Sequence, residues 1–85
     1  MSDTKQIVIK IVADILHCDV NSLSENSRLG RHENWDSLAQ MSILLELEER
    51  YSITVDENNI DQLLSISDIC KYIDSLGISP NSIWE

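Results

Sequence analysis

Apolar residues recur along this chain at intervals of three and four, which is the spacing of one face of an α-helix. Over residues 4–17 they occupy one half of the helical wheel, at Ile7, Val8, Ile11, Val12, Ile15 and Leu16. The β-branched run Ile7-Val8-Ile9 favours a strand locally. The helical period nevertheless holds over three turns, so the pattern predicts a first helix over 4–17.

The same spacing predicts three further helical segments. The second covers 37–51, where Ser37 and Gln40 form a Ser-x-x-Gln capping box at its start. A short third segment covers 57–63, with Asp56 as its N-cap and weak helix formers inside it. The last begins at residue 65 or 66 and runs to 76, where Gly77 is a natural stop. The pattern therefore predicts an all-α chain with three longer helices and one short one.

A long polar loop over 18–35 separates the first two helices. Loops of this length are uncommon in small domains unless they are functional. Its apolar residues are predicted to fix it to the core, at Val20, Leu23, Leu29 and Trp35.

The second helix has two apolar strips. One suits the core and consists of Ile43, Leu44, Leu47 and Tyr51. The other is rotated away from it and consists of Leu38, Met41 and Leu45. Either the helix is buried on both sides, or the second strip binds a partner. Glu48 and Glu49 flank that strip and favour a partner, because charged residues seldom border a buried face.

Composition narrows the function classes further. At 85 residues the chain allows one domain, predicted over 1–77, with a tail over 78–85. A net charge of −9 repels nucleic acid and anionic lipid and attracts basic protein surfaces. No signal-peptide pattern or membrane-spanning run is present, so we expect a cytoplasmic monomer that does not insert into membranes. His17 and His32 are isolated and the acidic run 56–61 fails the calcium-loop template, so no metal is expected.

The start of the second helix resembles a known family. Asp36-Ser37-Leu38 is similar to the phosphopantetheine attachment motif of acyl carrier proteins. The end of that helix, Leu47-Glu48-Glu49-Arg50-Tyr51, and the final Lys71-Tyr72-Ile73 also resemble the family. The similarity extends over about residues 5–77, in the family's helix order and with its acidic charge.

The resemblance implies a four-helix bundle that is a carrier and not an enzyme. Ser37 would hold a covalent 4′-phosphopantetheine, taken from coenzyme A by a phosphopantetheinyl transferase, and Asp36 would help to hold the accompanying magnesium. Cargo would travel as a thioester between acyl-activating ligases, synthases or acyltransferases with basic docking surfaces. The implied partner-binding residues are Leu38, Met41, Leu45, Glu46, Glu48 and Glu49. The implied acyl-pocket lining is Leu47, Ile60 and Leu63.

Some positions depart from the common fatty-acid-synthesis form of this family. Asn34-Trp35 replaces a pair of small residues, and Ala39 and Ser42 stand where acidic residues are usual. Similar Trp-Asp-Ser-Leu sequences are more typical of specialised stand-alone carriers, which serve polyketide, peptide or surface-glycan pathways. We therefore hypothesise a dedicated partner set rather than general fatty-acid synthesis. Two alternatives stay open: an aminoacyl or peptidyl carrier with the same arm, and an unmodified helical adaptor.

Overall fold

Three α-helices form the framework of the protein. The computed structural model describes residues 3–80, and in this range α1 is Asp3–Leu16, α2 is Ser37–Tyr51 and α3 is Ile66–Leu76. The connections contain two 3₁₀ turns, Val20–Ser22 and Ile60–Gln62. The described residues form no strand, and pairing is limited to an isolated antiparallel bridge between Arg28 and Ser65. The predicted all-α class is therefore confirmed, including a helix where the β-branched run favours a strand.

The helix ends follow the sequence signals closely. α2 has the predicted bounds, and α1 begins and ends one residue earlier than predicted. Ser65 caps α3 by accepting a hydrogen bond from the Asp68 N–H at 3.0 Å. Gly77 ends α3 with a φ of 64°, a left-handed conformation that glycine adopts without steric cost. In the predicted tail, Ile78 packs half-buried against the core, and residues 81–85 lie outside the described part of the chain.

The short third helix predicted over 57–63 is wrong in its extent. The chain makes turns there, followed by the 3₁₀ turn Ile60–Gln62. Side chains bond the backbone in place of a helical ladder: Asn59 Oδ1 accepts from the Asp56 N–H at 2.9 Å, and Asn59 Nδ2 donates to the Thr54 carbonyl at 2.9 Å. Asn58 N–H donates to Asp56 Oδ1 at 2.9 Å. Such local bonds compete with helix formation, so residues 3–80 contain three α-helices rather than the four expected.

The core lies where α1 packs against both α2 and α3. The largest fully buried side chains come from all three helices and from the segments that precede α2 and α3. They are Val8, Val12, Trp35, Ile43, Leu47, Leu63, Ile66, Ile69 and Ile73. The predicted apolar strip of α1 and the buried isoleucines of α3 are thus the surfaces that build this core.

The long loop before α2 is tied to the segment that leads into α3. Leu29 N–H donates to the Leu64 carbonyl at 2.9 Å, and Ile66 N–H donates to the Ser27 carbonyl at 3.0 Å. Leu23 and Leu29 pack into or against the core as predicted. Val20 does not, because it begins a surface 3₁₀ turn and is exposed. These backbone bonds fix the middle of the loop to the segment before α3.

Candidate functional site

The start of α2 is set by Asp36 and not by Ser37. Asp36 has an extended backbone, and its Oδ1 accepts a hydrogen bond from the Ala39 N–H at 2.9 Å. The Asp36 carbonyl accepts the first helical bond, from the Gln40 N–H at 2.9 Å. The predicted Ser37–Gln40 capping box is therefore wrong: the cap lies one residue earlier, since a carboxylate at 36 reaches the N–H three residues on.

This shift leaves Ser37 as the first residue of the helix, with its side chain exposed. The first N–H groups of an α-helix have no partner within the helix and carry partial positive charge. An anionic group attached at Ser37 would lie in this field, which is the arrangement in which helix starts bind phosphate. The residues present therefore fit an exposed hydroxyl that receives a phosphate ester.

Two buried side chains lie beside the exposed serine. Trp35 is 1% exposed and Gln40 is 6% exposed. Trp35 Nε1 donates to Gln40 Oε1 at 2.6 Å, and Gln40 Nε2 donates to the Leu63 carbonyl at 2.9 Å. The first turn of α2 is thus bonded to the residue before the Asp36 cap and to the residue after the second 3₁₀ turn.

Sequence reasoning missed this role of Gln40, which it assigned to a capping box. The signal was present in the helical spacing. Gln40 lies three and four residues before Ile43 and Leu44, on the strip that faces the core. A polar residue on a core-facing strip needs a buried hydrogen-bond partner, and here it has two.

The second apolar strip of α2 is open to solvent. Leu38 is 77% exposed, and Met41 and Leu45 are each 63% exposed. The alternative of a helix buried on both sides is therefore wrong. Large exposed apolar side chains grouped on one helix mark a surface that can bind another protein.

The three glutamates near this strip have different surroundings. Glu46 Oε2 forms an ion pair with Arg50 Nε at 2.6 Å, one helical turn away. Glu48 is half-buried and its Oε2 accepts a hydrogen bond from the Val55 N–H at 2.7 Å, so it braces the connector after α2. Glu49 is exposed. An open groove of about 570 Å³ runs along this side and is lined by Ser42, Leu45, Glu46, Glu48 and Glu49.

The three residues predicted to line an acyl pocket are not equivalent. Leu47 and Leu63 are fully buried in the core, whereas Ile60 is partly exposed on the 3₁₀ turn. A bound chain between them would have to separate packed residues.

In residues 3–80 no three or more His, Cys, Asp or Glu side chains are grouped to hold a metal ion. No helix in this range is both long and apolar enough to cross a bilayer. His32, one of the two isolated histidines, accepts a hydrogen bond at Nδ1 from the Asn34 N–H at 3.2 Å.

An exposed serine at a helix start, beside an exposed apolar strip on an acidic domain, is the arrangement that the resemblance predicts for a small carrier protein. Residues 6–73 match the family described as "Phosphopantetheine attachment site". The acyl carrier protein of Helicobacter hepaticus is 29% identical over 73 residues, which cover 86% of this chain and 96% of that protein. That of Chlamydia muridarum is 32% identical over 63 residues, covering 74% and 82%. The chain belongs to the acyl carrier protein family.

Membership defines the cofactor and the kind of activity. The cofactor is 4′-phosphopantetheine, bound covalently, and the chain is a carrier rather than a catalyst. Carriers of this family work with a phosphopantetheinyl transferase and with biosynthetic enzymes. The cofactor supplies a flexible arm that ends in a thiol, and the protein must supply an exposed hydroxyl to hold it.

Proposed function

We propose that this protein carries acyl intermediates as thioesters on a 4′-phosphopantetheine arm attached to Ser37. The observation that carries the proposal is the position of Ser37: it is the exposed first residue of α2, directly after the Asp36 cap. A transferase needs such access to present coenzyme A to the hydroxyl. The phosphodiester formed would then lie in the positive field of the helix start.

Asp36 has two roles in this proposal. Its Oδ1 holds the helix start through the Ala39 N–H. A carboxylate has a second oxygen, and the exposed position of Asp36 allows it to help bind the magnesium that accompanies the diphosphate during transfer. The same side chain would therefore shape the site and assist the loading step.

The test is a loading reaction read by intact mass. The purified protein is incubated with coenzyme A, magnesium and a transferase of broad specificity, and the expected result is a gain of one phosphopantetheine. Ser37→Ala should abolish the gain. Ser75→Ala is the matched control, because Ser75 is an exposed serine on α3, outside the proposed docking surface, and its replacement should leave the gain intact. An unchanged mass of the wild-type protein would instead favour the unmodified adaptor.

The docking surface in this proposal is the strip of Leu38, Met41 and Leu45 with Glu46, Glu48 and Glu49 beside it. Partners would bury the exposed apolar side chains and place basic residues against the acidic groove. Charged rims mainly accelerate encounter and set the register of a complex. Glu48 is the weakest contributor, because its carboxylate is already bonded to the Val55 N–H.

A dedicated pathway forms the last part of the proposal. Ala39 and Ser42 thin the negative charge near the arm, and the Trp35 side chain fills the core near the start of α2. We therefore propose a specialised route, such as polyketide, peptide or surface-glycan synthesis. The carrier would act in the cytoplasm, with its carrier domain over 1–77. The 57–63 segment would take the place of the third helix of a four-helix bundle. Efficient elongation on this carrier by purified fatty-acid-synthesis enzymes would contradict the specialised role.

Loading by ligases separates the acyl carrier from an aminoacyl or peptidyl carrier. Both use the same arm, so attachment to Ser37 does not distinguish them. An acyl-activating ligase should load the holo protein, whereas loading only by an amino-acid-activating ligase would assign it to the second kind.

A further inference from the structure

The space beneath the helix start is closed by a buried hydrogen-bond bridge. The bridge consists of Trp35, Gln40 and Leu63: the indole N–H bonds the Gln40 amide oxygen at 2.6 Å, and the Gln40 amide N–H₂ bonds the Leu63 carbonyl at 2.9 Å. The two side chains are almost fully buried. The bridge thus joins the residue before the Asp36 cap, the first turn of α2 and the residue after the second 3₁₀ turn.

The bridge links residues close to the attachment point in sequence to the proposed acyl lining. Trp35 and Gln40 are two residues before and three residues after Ser37 in sequence, and Leu63 is itself one of the predicted lining residues. A chain that enters the core beside Ser37 must separate α2 from the 60–63 segment. That movement breaks the Gln40–Leu63 bond and displaces the indole, which fills the core at this point.

Opening the bridge is unfavourable for a physical reason. It leaves an indole N–H, an amide and a backbone carbonyl without their partners in a site with little water, and buried polar groups without hydrogen bonds are costly. A long apolar chain recovers part of that cost by its own burial, but a short or polar acyl group does not.

We propose that the Trp35–Gln40–Leu63 bridge is a latch that keeps cargo outside the fold, so that this carrier holds short or polar acyl groups in solvent. The proposal rests on attachment at Ser37. Gln40 is the specificity-determining residue, because it makes both bonds. With the latch closed, the cargo stays exposed to partner enzymes rather than sheltered between α2 and the 60–63 segment.

The test compares two cargoes on matched variants. Acetyl- and octanoyl-coenzyme A are used with the transferase to load each protein directly, intact mass verifies the loading, and Tm is measured. A sheltered chain stabilises the native state, because it binds only that state. We expect wild-type Tm values for the two cargoes to agree within about 1 °C, and the octanoyl form of Gln40→Ala to melt at least about 3 °C above its acetyl form.

Gln62→Ala is the matched control, because Gln62 is exposed on the 3₁₀ turn and should behave as the wild type does. Stabilisation of the wild type by octanoyl cargo would overturn the proposal, since a closed latch excludes the chain. Equal Tm values for both cargoes on Gln40→Ala would also overturn it. If that variant does not fold, Gln40→Leu decides in its place, because it removes both hydrogen bonds and keeps a side chain of similar size.

A readout on the unmodified protein separates failure of the latch from failure of attachment. Hydrogen exchange of the Trp35 indole N–H is followed by NMR, with the resonance assigned by its loss in Trp35→Phe. A closed latch should slow this exchange by at least about 100-fold relative to free tryptophan. Exchange at the free rate overturns the latch whatever the state of Ser37. An unchanged mass after loading, together with slow exchange, refutes attachment at Ser37 and supports the closed bridge.

Discussion

Replacement of Gln40 by leucine tests how strongly the buried bridge stabilises the fold. Leucine has an unbranched β-carbon and a size similar to glutamine, but it cannot form either hydrogen bond. Trp35 Nε1 and the Leu63 carbonyl are then left buried without these partners. Each such group costs about 1–3 kcal/mol, and the more apolar leucine returns about 1 kcal/mol by its burial. We therefore expect the free energy of unfolding to fall by about 3 kcal/mol.

Urea denaturation followed by circular dichroism measures this loss. A domain of this size has a total stability of roughly 4–13 kcal/mol, so the variant should fold but with a clearly lower midpoint and an unchanged slope. Gln62→Leu makes the same chemical change at an exposed position and should alter stability by less than about 0.5 kcal/mol.

A double-mutant cycle with Trp35→Phe assigns part of the loss to the bond between the two side chains. Their effects should be non-additive by at least about 1 kcal/mol, because each single change breaks the same hydrogen bond. The reasoning is refuted if Gln40→Leu costs less than about 1 kcal/mol more than Gln62→Leu, or if the two bridge substitutions are simply additive.

Three further predictions concern other groups. Tyr51 Oη is buried without a hydrogen-bond partner among the described residues, so Tyr51→Phe should leave the free energy of unfolding unchanged or raise it by up to about 1 kcal/mol in urea denaturation. Burial, and then the nearby Asp74 carboxylate, raise the pKa of Cys70 from 9.0 to about 11. Near pH 8 its thiolate should therefore be about 100-fold scarcer than that of a thiol with the ordinary pKa, and alkylation of Cys70, followed by mass, should be slower to match. Met41→Lys should slow arm transfer by the transferase about tenfold, by charge repulsion and lost apolar contact, without loss of stability.

Each of these has an outcome that would contradict it. A destabilised Tyr51→Phe variant would mean that the hydroxyl has a partner in solution. Because the pKa of Cys70 is raised in the folded state, its thiol loses a proton at a lower pH in the unfolded chain than in the folded one. The free energy of unfolding should therefore fall as the pH rises from 9.0 towards about 11. Rapid alkylation near neutral pH would contradict that burial. The control for Met41→Lys is Ser75→Lys, which adds the same charge on α3. If both variants slow arm transfer equally, the effect does not depend on a docking surface on α2.

The three α-helices were predictable because local signals and core packing agree there. In α3 the apolar spacing, the Ser65 cap and the Gly77 stop all indicate the same segment. The α2 bounds were equally clear, even though the capping residue was wrongly assigned. Ser37 and Asp36 are adjacent and both favour helix starts, so composition alone did not show which of them adopts the extended backbone.

The third segment was less predictable, because its side chains bond in competing ways. Asn59 bonds the Thr54 carbonyl and the Tyr72 hydroxyl, the second of which comes from α3 and depends on the tertiary fold. Single-residue propensity contains no information on that contact. The bridge could not be predicted from the sequence for the same reason. The Leu63 carbonyl is a backbone group, and only the folded chain brings it close to Gln40.

Together, the exposed and buried faces of α2 separate two tasks that a carrier must perform. The exposed strip and Ser37 face solvent, where partners and cargo meet. On the core-facing strip, Gln40 is a buried polar residue at a position where leucine would also pack. A buried polar network is stable only when all of its hydrogen bonds are made. If Gln40 contributed to stability alone, an apolar residue at position 40 combined with Trp35→Phe should give a protein of similar stability. If that double replacement restores stability but admits long-chain cargo, the bridge functions in cargo selection rather than in folding.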